Sequence, residues 1–113
     1  MPLMNAETVI ARSGGECEAR LPGAGCTRNA SELHHRRFRS GGEDHSISNL
    51  GAICKSCHDW IHGNKSTARE YGWAISSHTD ELPSEVPVHY RGRMALLSDA
   101  GFAQFIIPGV PQL

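Results

Sequence analysis

Four histidines in the first part of this chain stand at spacings that suit metal binding and proton transfer. His34 and His35 are adjacent, and His58 and His62 are four residues apart. On a helix, residues at i and i+4 share one face with Cβ atoms about 6 Å apart, which suits two imidazoles on one metal ion. On an extended strand, neighbouring side chains point to opposite sides. One member of the His34–His35 pair can therefore bind a metal while the other acts on a water molecule.

A simpler alternative for this pattern is an exposed histidine pair together with a histidine that caps a helix. The presence of all four residues, with Asn49 between the two pairs, favours a functional site over that alternative. The other histidines have no partner at ligand spacing, and we expect them to be surface or structural residues: His45, His78 and His89.

Four cysteines form two pairs among these histidines. Cys54 and Cys57 have the tight spacing of a zinc knuckle, whereas Cys17 and Cys26 form a looser pair. Four thiolates suit a closed tetrahedral zinc site. A chain of 113 residues with 39% apolar residues often needs such a staple. Unrelated free cysteines are the alternative, but the pairing predicts a structural Zn²⁺.

Charge is distributed unevenly, although the net charge is only −1. Residues 16–69 contain eight Lys/Arg against six Asp/Glu, whereas residues 70–113 contain two against five. The excess positive charge of residues 16–69 is small for a surface that binds nucleic acid. Three arginines beside the histidine pair either contact phosphates or form a solvated basic face: Arg36, Arg37 and Arg39. No apolar run approaches the roughly 20 residues that cross a bilayer, and no secretory signal is evident. We therefore expect a cytoplasmic protein.

The local patterns predict a single α+β domain over residues 1–113. We expect a helix over 5–12 capped by Asn5, strands over 33–39 and 46–53, and a helix over 54–62. A capping-box pattern at Thr67 predicts a further short helix that ends at Gly72. The remaining patterns predict strands near residues 73–76, 86–90, 94–97 and 102–107, with a turn at 91–92.

With these residues identified, the chain resembles the HNH endonucleases, whose core is the ββα-metal fold. The resemblance covers roughly residues 15–63 and includes Gly41-Gly42 and Asn49-Leu50 besides the cysteines and histidines. It implies a small ββα-metal core with a zinc knuckle over 15–63, followed over 64–113 by a short helix and a β-rich extension. Residues 68–88 also look like small HNH proteins of actinobacteria and their tailed phages. This second similarity implies a bacterial or phage-infected cell and a role beside a terminase in DNA packaging.

The resemblance also implies a role for each site residue. His34 would bind the catalytic metal, where many members have Asp, and His58 and His62 would complete that site. His35 would be the general base, and Asn49 would hold the loop that orients it. Phe38 stands where many members carry proline, which is a departure from the family pattern.

The implied function is hydrolysis of phosphodiester bonds in double-stranded DNA, with contacts mainly to the backbone. The implied cofactors are a structural Zn²⁺ and one catalytic divalent cation, for which three histidines leave Mg²⁺, Mn²⁺, Ni²⁺ and Zn²⁺ open. The alternative is a non-catalytic, zinc-stabilised DNA-binding or packaging accessory module. A module of that kind would not need His35, Asn49 and His62 together, so we favour the enzyme.

Overall fold

A computed structural model describes residues 3–37 and 44–107 as an α+β fold of short helices and two antiparallel sheets. The expected class is therefore confirmed, whereas the division at residue 63 stays a prediction. None of the helices in these ranges is long and apolar enough to cross a membrane. In chain order the elements are α1 (Leu3–Ser13), β1 (Glu32–His35), β2 (Leu50–Ile53), α2 (Lys55–Gly63), α3 (Lys65–Glu70), β3 (Val88–Tyr90), β4 (Arg93–Leu97) and β5 (Ala103–Phe105).

Strands β1 and β2 and helix α2 form a ββα unit that positions the histidines. β1 and β2 pair antiparallel, with His34 opposite Gly51. Helix α2 follows β2 directly, and the Cys54 sulfur caps it by accepting the N–H of Cys57. The first strand is shorter than the predicted 33–39, and the second is preceded by a 3-10 turn, Ile47–Asn49. Residues 38–43, between the two strands, lie outside the described residues.

The main core lies between the ββα unit, α3 and the β3–β4–β5 sheet. The Trp73 ring is fully buried and packs where a Cβ on Gly51 would lie, so this position of β2 accepts only glycine without a shift. A smaller cluster packs α1 against β2. The largest apolar members of the main core include Leu21, Ile53, Ile61, Trp73, Val88 and Leu97.

Several local predictions are corrected by the structure. Helix α1 begins at Leu3, so Asn5 lies within the helix and is not its cap. Helix α3 begins at Lys65 with Asn64 at the N-cap position, so the capping box at Thr67 is wrong. Residues 73–76 form no strand and contribute one isolated bridge, between Ile75 and Arg37. Helix α3 ends at Glu70, just before Gly72 with its φ of +77°, which agrees with the expected end of this helix. The expected turn at 91–92 is confirmed.

Candidate active site and metal centres

The four cysteines converge on one point, with their sulfurs within 4.8 Å of one another. The Sγ atoms of Cys26 and Cys54 are 3.8 Å apart. A tetrahedron with Zn–S bonds of about 2.3 Å has edges of about 3.8 Å. All four cysteines are free thiols, three of them buried. The donor set and its spacing therefore fit a tetrahedral metal site of the kind that zinc occupies.

Backbone N–H groups surround these sulfurs, as a thiolate cluster requires. Arg20 and Arg28 donate their N–H groups to the sulfurs of Cys17 and Cys26, and Leu21 donates to Cys57 at 3.4 Å. Both arginines have positive φ angles, of 46° and 71°, so the chain turns sharply around the metal position. A hydrogen bond from Cys57 lowers the pKa of the Cys17 thiol, which favours a thiolate there.

Three histidines form a second cluster, two of whose members lie on α2. His34 comes from β1, whereas His58 and His62 come from α2, and one nitrogen of each lies within 4.8 Å of the others. The Nε2 atoms of His58 and His62 are 3.2 Å apart. Two imidazoles on a metal with bonds of 2.0–2.1 Å have nitrogens about 3.3 Å apart. The cluster therefore fits a single divalent ion.

The second nitrogen of two of these rings is held by a neighbouring group. His34 Nε2 donates to the Trp73 carbonyl at 2.7 Å, which leaves Nδ1 as its ligand atom. His58 Nδ1 donates to the Glu32 carboxylate, so Nε2 is its ligand atom. Such partners fix the tautomer and ring orientation of metal-binding histidines. Neither Glu32 nor Trp73 was predicted from sequence, although Glu32 lies two residues before His34 and so shares its face of the strand.

Burial keeps His34 neutral, as a metal ligand must be. Its exposed fraction is 1%, and desolvation lowers its pKa from 6.5 to about 3. Desolvation and the charge of His58 also lower the pKa of His62. Both rings are therefore ready to bind a cation at neutral pH without releasing a proton.

His35 is half-buried, and the Asn49 side chain bonds to two described residues that follow His35 in the chain. The Asn49 side chain accepts the Arg37 N–H at 2.8 Å and donates to the Asp44 carbonyl at 2.7 Å. The loop-holding role expected of Asn49 stays a prediction. His45, which we expected to be a surface or structural residue, lies beside His35, with His35 Nε2 and His45 Nδ1 3.0 Å apart.

The structure agrees with neither expectation for Arg36, a phosphate contact or a place on a solvated basic face. Arg36 is fully buried, and its guanidinium donates to four backbone carbonyls. Arg37 is partly exposed, but its guanidinium donates to the carbonyls of Ser76 and Glu81. Arg39 lies outside the described residues. The basic stretch after the histidine pair is therefore at least partly structural.

Residues 15–64 of the chain match the family model described as HNH endonuclease. The chain is also similar to the Gene 4 protein of Mycobacterium phage D29, with 43% identity over 60 residues that cover 53% of this chain and 52% of that protein. The chain thus spans about half the length of this curated relative. No solved structure gives a significant match. The ββα unit, the two clusters and this match agree, and residues 15–64 form a domain of the HNH endonuclease family.

Proposed function

We propose that this HNH domain is a divalent-metal-dependent endonuclease that hydrolyses phosphodiester bonds in double-stranded DNA. One observation carries the proposal: three imidazoles converge while the Trp73 carbonyl and the Glu32 carboxylate hold the remaining nitrogens of two of them. A non-catalytic, zinc-stabilised DNA-binding module would not need three histidines whose rings are oriented for a second metal ion. Family membership supports the nuclease-type function.

His34, His58 and His62 would hold the catalytic ion, and the four cysteines would hold Zn²⁺. The ion, when bound, supplies charge stabilisation at the phosphate and the leaving oxygen. His35 takes a proton from water as the water oxygen bonds to phosphorus in line, and the bond from phosphorus to the 3′ oxygen breaks. The products are a 5′-phosphate and a 3′-hydroxyl, the latter protonated from solvent.

The protein would contact mainly the phosphate backbone of DNA, through exposed lysine and arginine side chains. Buried Arg36 is not one of them. Lys65 and Arg69 are exposed on α3, which follows the helix of His58 and His62. Because these cationic side chains are few, we expect weak DNA binding whose affinity depends only slightly on salt concentration. A place beside a phage terminase is a further part of this proposal, supported by similarity to a phage protein.

Plasmid nicking in the presence of Mg²⁺, Mn²⁺, Ni²⁺ or Zn²⁺ tests the proposal. We expect relaxed product with the wild-type protein and none with His35→Ala. His78→Ala is the matched control, because His78 is exposed and outside both clusters, and it should cleave normally. Binding of DNA without cleavage under any of the four ions would instead support the non-catalytic module.

A further inference from the structure

His45 contacts the proposed general base through a ring-to-ring hydrogen bond. His35 Nε2 and His45 Nδ1 are 3.0 Å apart, with ring centroids 5.2 Å apart and planes inclined by 68°. Both rings are half-buried, so the contact is partly shielded from water. Nothing in the ligand set of either metal cluster requires His45.

The backbone around His45 is held from two directions. Asn5 on α1 donates its side-chain N–H to the His45 carbonyl at 2.8 Å. On either side, the Asp44 carbonyl accepts from the Asn49 side chain at 2.7 Å, and the Ser46 carbonyl accepts the Asn49 N–H at 2.9 Å. These bonds fix the chain at residues 44–46, so the His45 ring is presented to His35 from a rigid support.

Only one hydrogen fits between the two ring nitrogens, and its position determines what His35 can do. If His35 Nε2 carries it, the Nδ1 atom of neutral His35 has the lone pair that accepts a proton. If His45 Nδ1 carries it, neutral His35 is protonated on Nδ1, and its lone pair is engaged by His45. The proposed base therefore requires His45 to be the acceptor.

We propose that His45 is a positioning residue, whose Nδ1 accepts a hydrogen bond from His35 Nε2 and so holds His35 in the tautomer that takes a proton at Nδ1. This inference rests on the proposed nuclease function. It assigns no contact between His45 and DNA or metal. The role depends on an acceptor at the Nδ1 position and not on the imidazole itself.

Two substitutions of His45 separate this role from simple packing. The Oδ1 atom of asparagine is as many bonds from Cα as Nδ1 of histidine, so His45→Asn keeps an acceptor, whereas His45→Leu removes it. We expect His45→Leu to lower kcat by roughly tenfold to a hundredfold, as for other groups that orient a functional histidine. KM for DNA and the affinity for the divalent ion should not change. His45→Asn should recover most of kcat.

Equal losses in the two variants, or wild-type kcat in His45→Leu, would overturn the proposal. So would a fall in melting temperature that accounts for the lost activity of the leucine variant alone. Nitrogen-15 NMR of the zinc-loaded wild-type protein at mildly alkaline pH provides a test that does not depend on activity. A protected Nε2–H of His35 is expected, and it should exchange rapidly in His45→Leu. A hydrogen on His45 Nδ1 instead would refute the assignment. A wild-type protein that cleaves nothing would refute the nuclease function, while this signal would still report on His45.

Discussion

Replacement of Arg36 by methionine should destabilise the fold without removing a DNA contact. The Arg36 guanidinium donates to the carbonyls of Gly72 at 2.8 Å, Ser48 at 2.8 Å, Pro83 at 2.9 Å and Val86 at 2.7 Å. Burial, with Arg12 and Arg37 nearby, lowers its pKa to about 9, so it is still charged at neutral pH. Arg36 therefore joins the segments around residues 48, 72 and 83–86.

The size of the effect follows from the carbonyls that lose a donor. The Pro83 carbonyl keeps the Val86 N–H, whereas those of Ser48, Gly72 and Val86 lose the guanidinium. An unsatisfied buried carbonyl costs about 1–3 kcal/mol. Val86 is only half-buried, and burying methionine costs less free energy than burying a cation. We therefore expect the free energy of unfolding to fall by about 3–6 kcal/mol. This is a large share of the roughly 5–15 kcal/mol that stabilises a domain.

Denaturant unfolding of the zinc-loaded protein at fixed free zinc measures this loss, because bound metal adds to apparent stability. Arg69→Met is the matched control, since Arg69 is exposed on α3, and it should change stability by less than about 0.5 kcal/mol. The reasoning is refuted if Arg36→Met unfolds within about 1 kcal/mol of wild type while the salt slope of DNA binding falls by about one unit. That result would identify Arg36 as a phosphate contact.

Four further predictions concern the two metal clusters. His34→Ala should abolish both divalent-ion binding and cleavage, whereas His35→Ala should abolish cleavage alone; calorimetric titration of both variants checks this, and equal loss of binding would contradict it. Cys54→Ser should release zinc and unfold the chain, measured by metal content and circular dichroism. Glu32→Gln should weaken divalent-ion affinity by roughly tenfold in calorimetry, because His58 loses its orienting carboxylate; unchanged affinity would remove that role. Without an ion on the three histidines, the free energy of unfolding should fall as the pH is lowered from 6.5 to 3. In this range the unfolded chain protonates His34, whereas the folded chain, in which the pKa of His34 is about 3, does not. The slope in denaturation is up to about 1.4 kcal/mol per pH unit and should flatten in His34→Asn.

Two ligands of each cluster could be anticipated from spacing because they belong to one helix or to its first turn. His58 and His62 share a face of α2 by helix geometry alone, and Cys54 and Cys57 meet at its first turn. The grouping of His34 with these two came from the resemblance to the HNH endonucleases and not from spacing. Local rules were sufficient wherever the geometry was local.

Long-range partners could not be read from the sequence in the same way. Arg36 looked like one of three exposed cations, and only the fold brings carbonyls from residues 48–86 around it. His45 showed no ligand spacing, because its partner His35 lies ten residues earlier in the chain. Asn5 had the composition of a helix cap, yet its amide is used 40 residues away on the His45 carbonyl. In each case a tertiary hydrogen bond decided the role.

The sharing of α2 by both metal clusters constrains how this chain can change length. Cys57 and His58 are neighbours on the helix, yet they serve different clusters. An inserted or deleted residue between them would rotate the later residues by about 100°. Cys54 and Cys57 would stay in place in the cysteine cluster, whereas His58 and His62 would turn away from His34. Insertions and deletions between homologues should therefore accumulate in the turn over residues 22–25 or after α3, and be absent between residues 54 and 62.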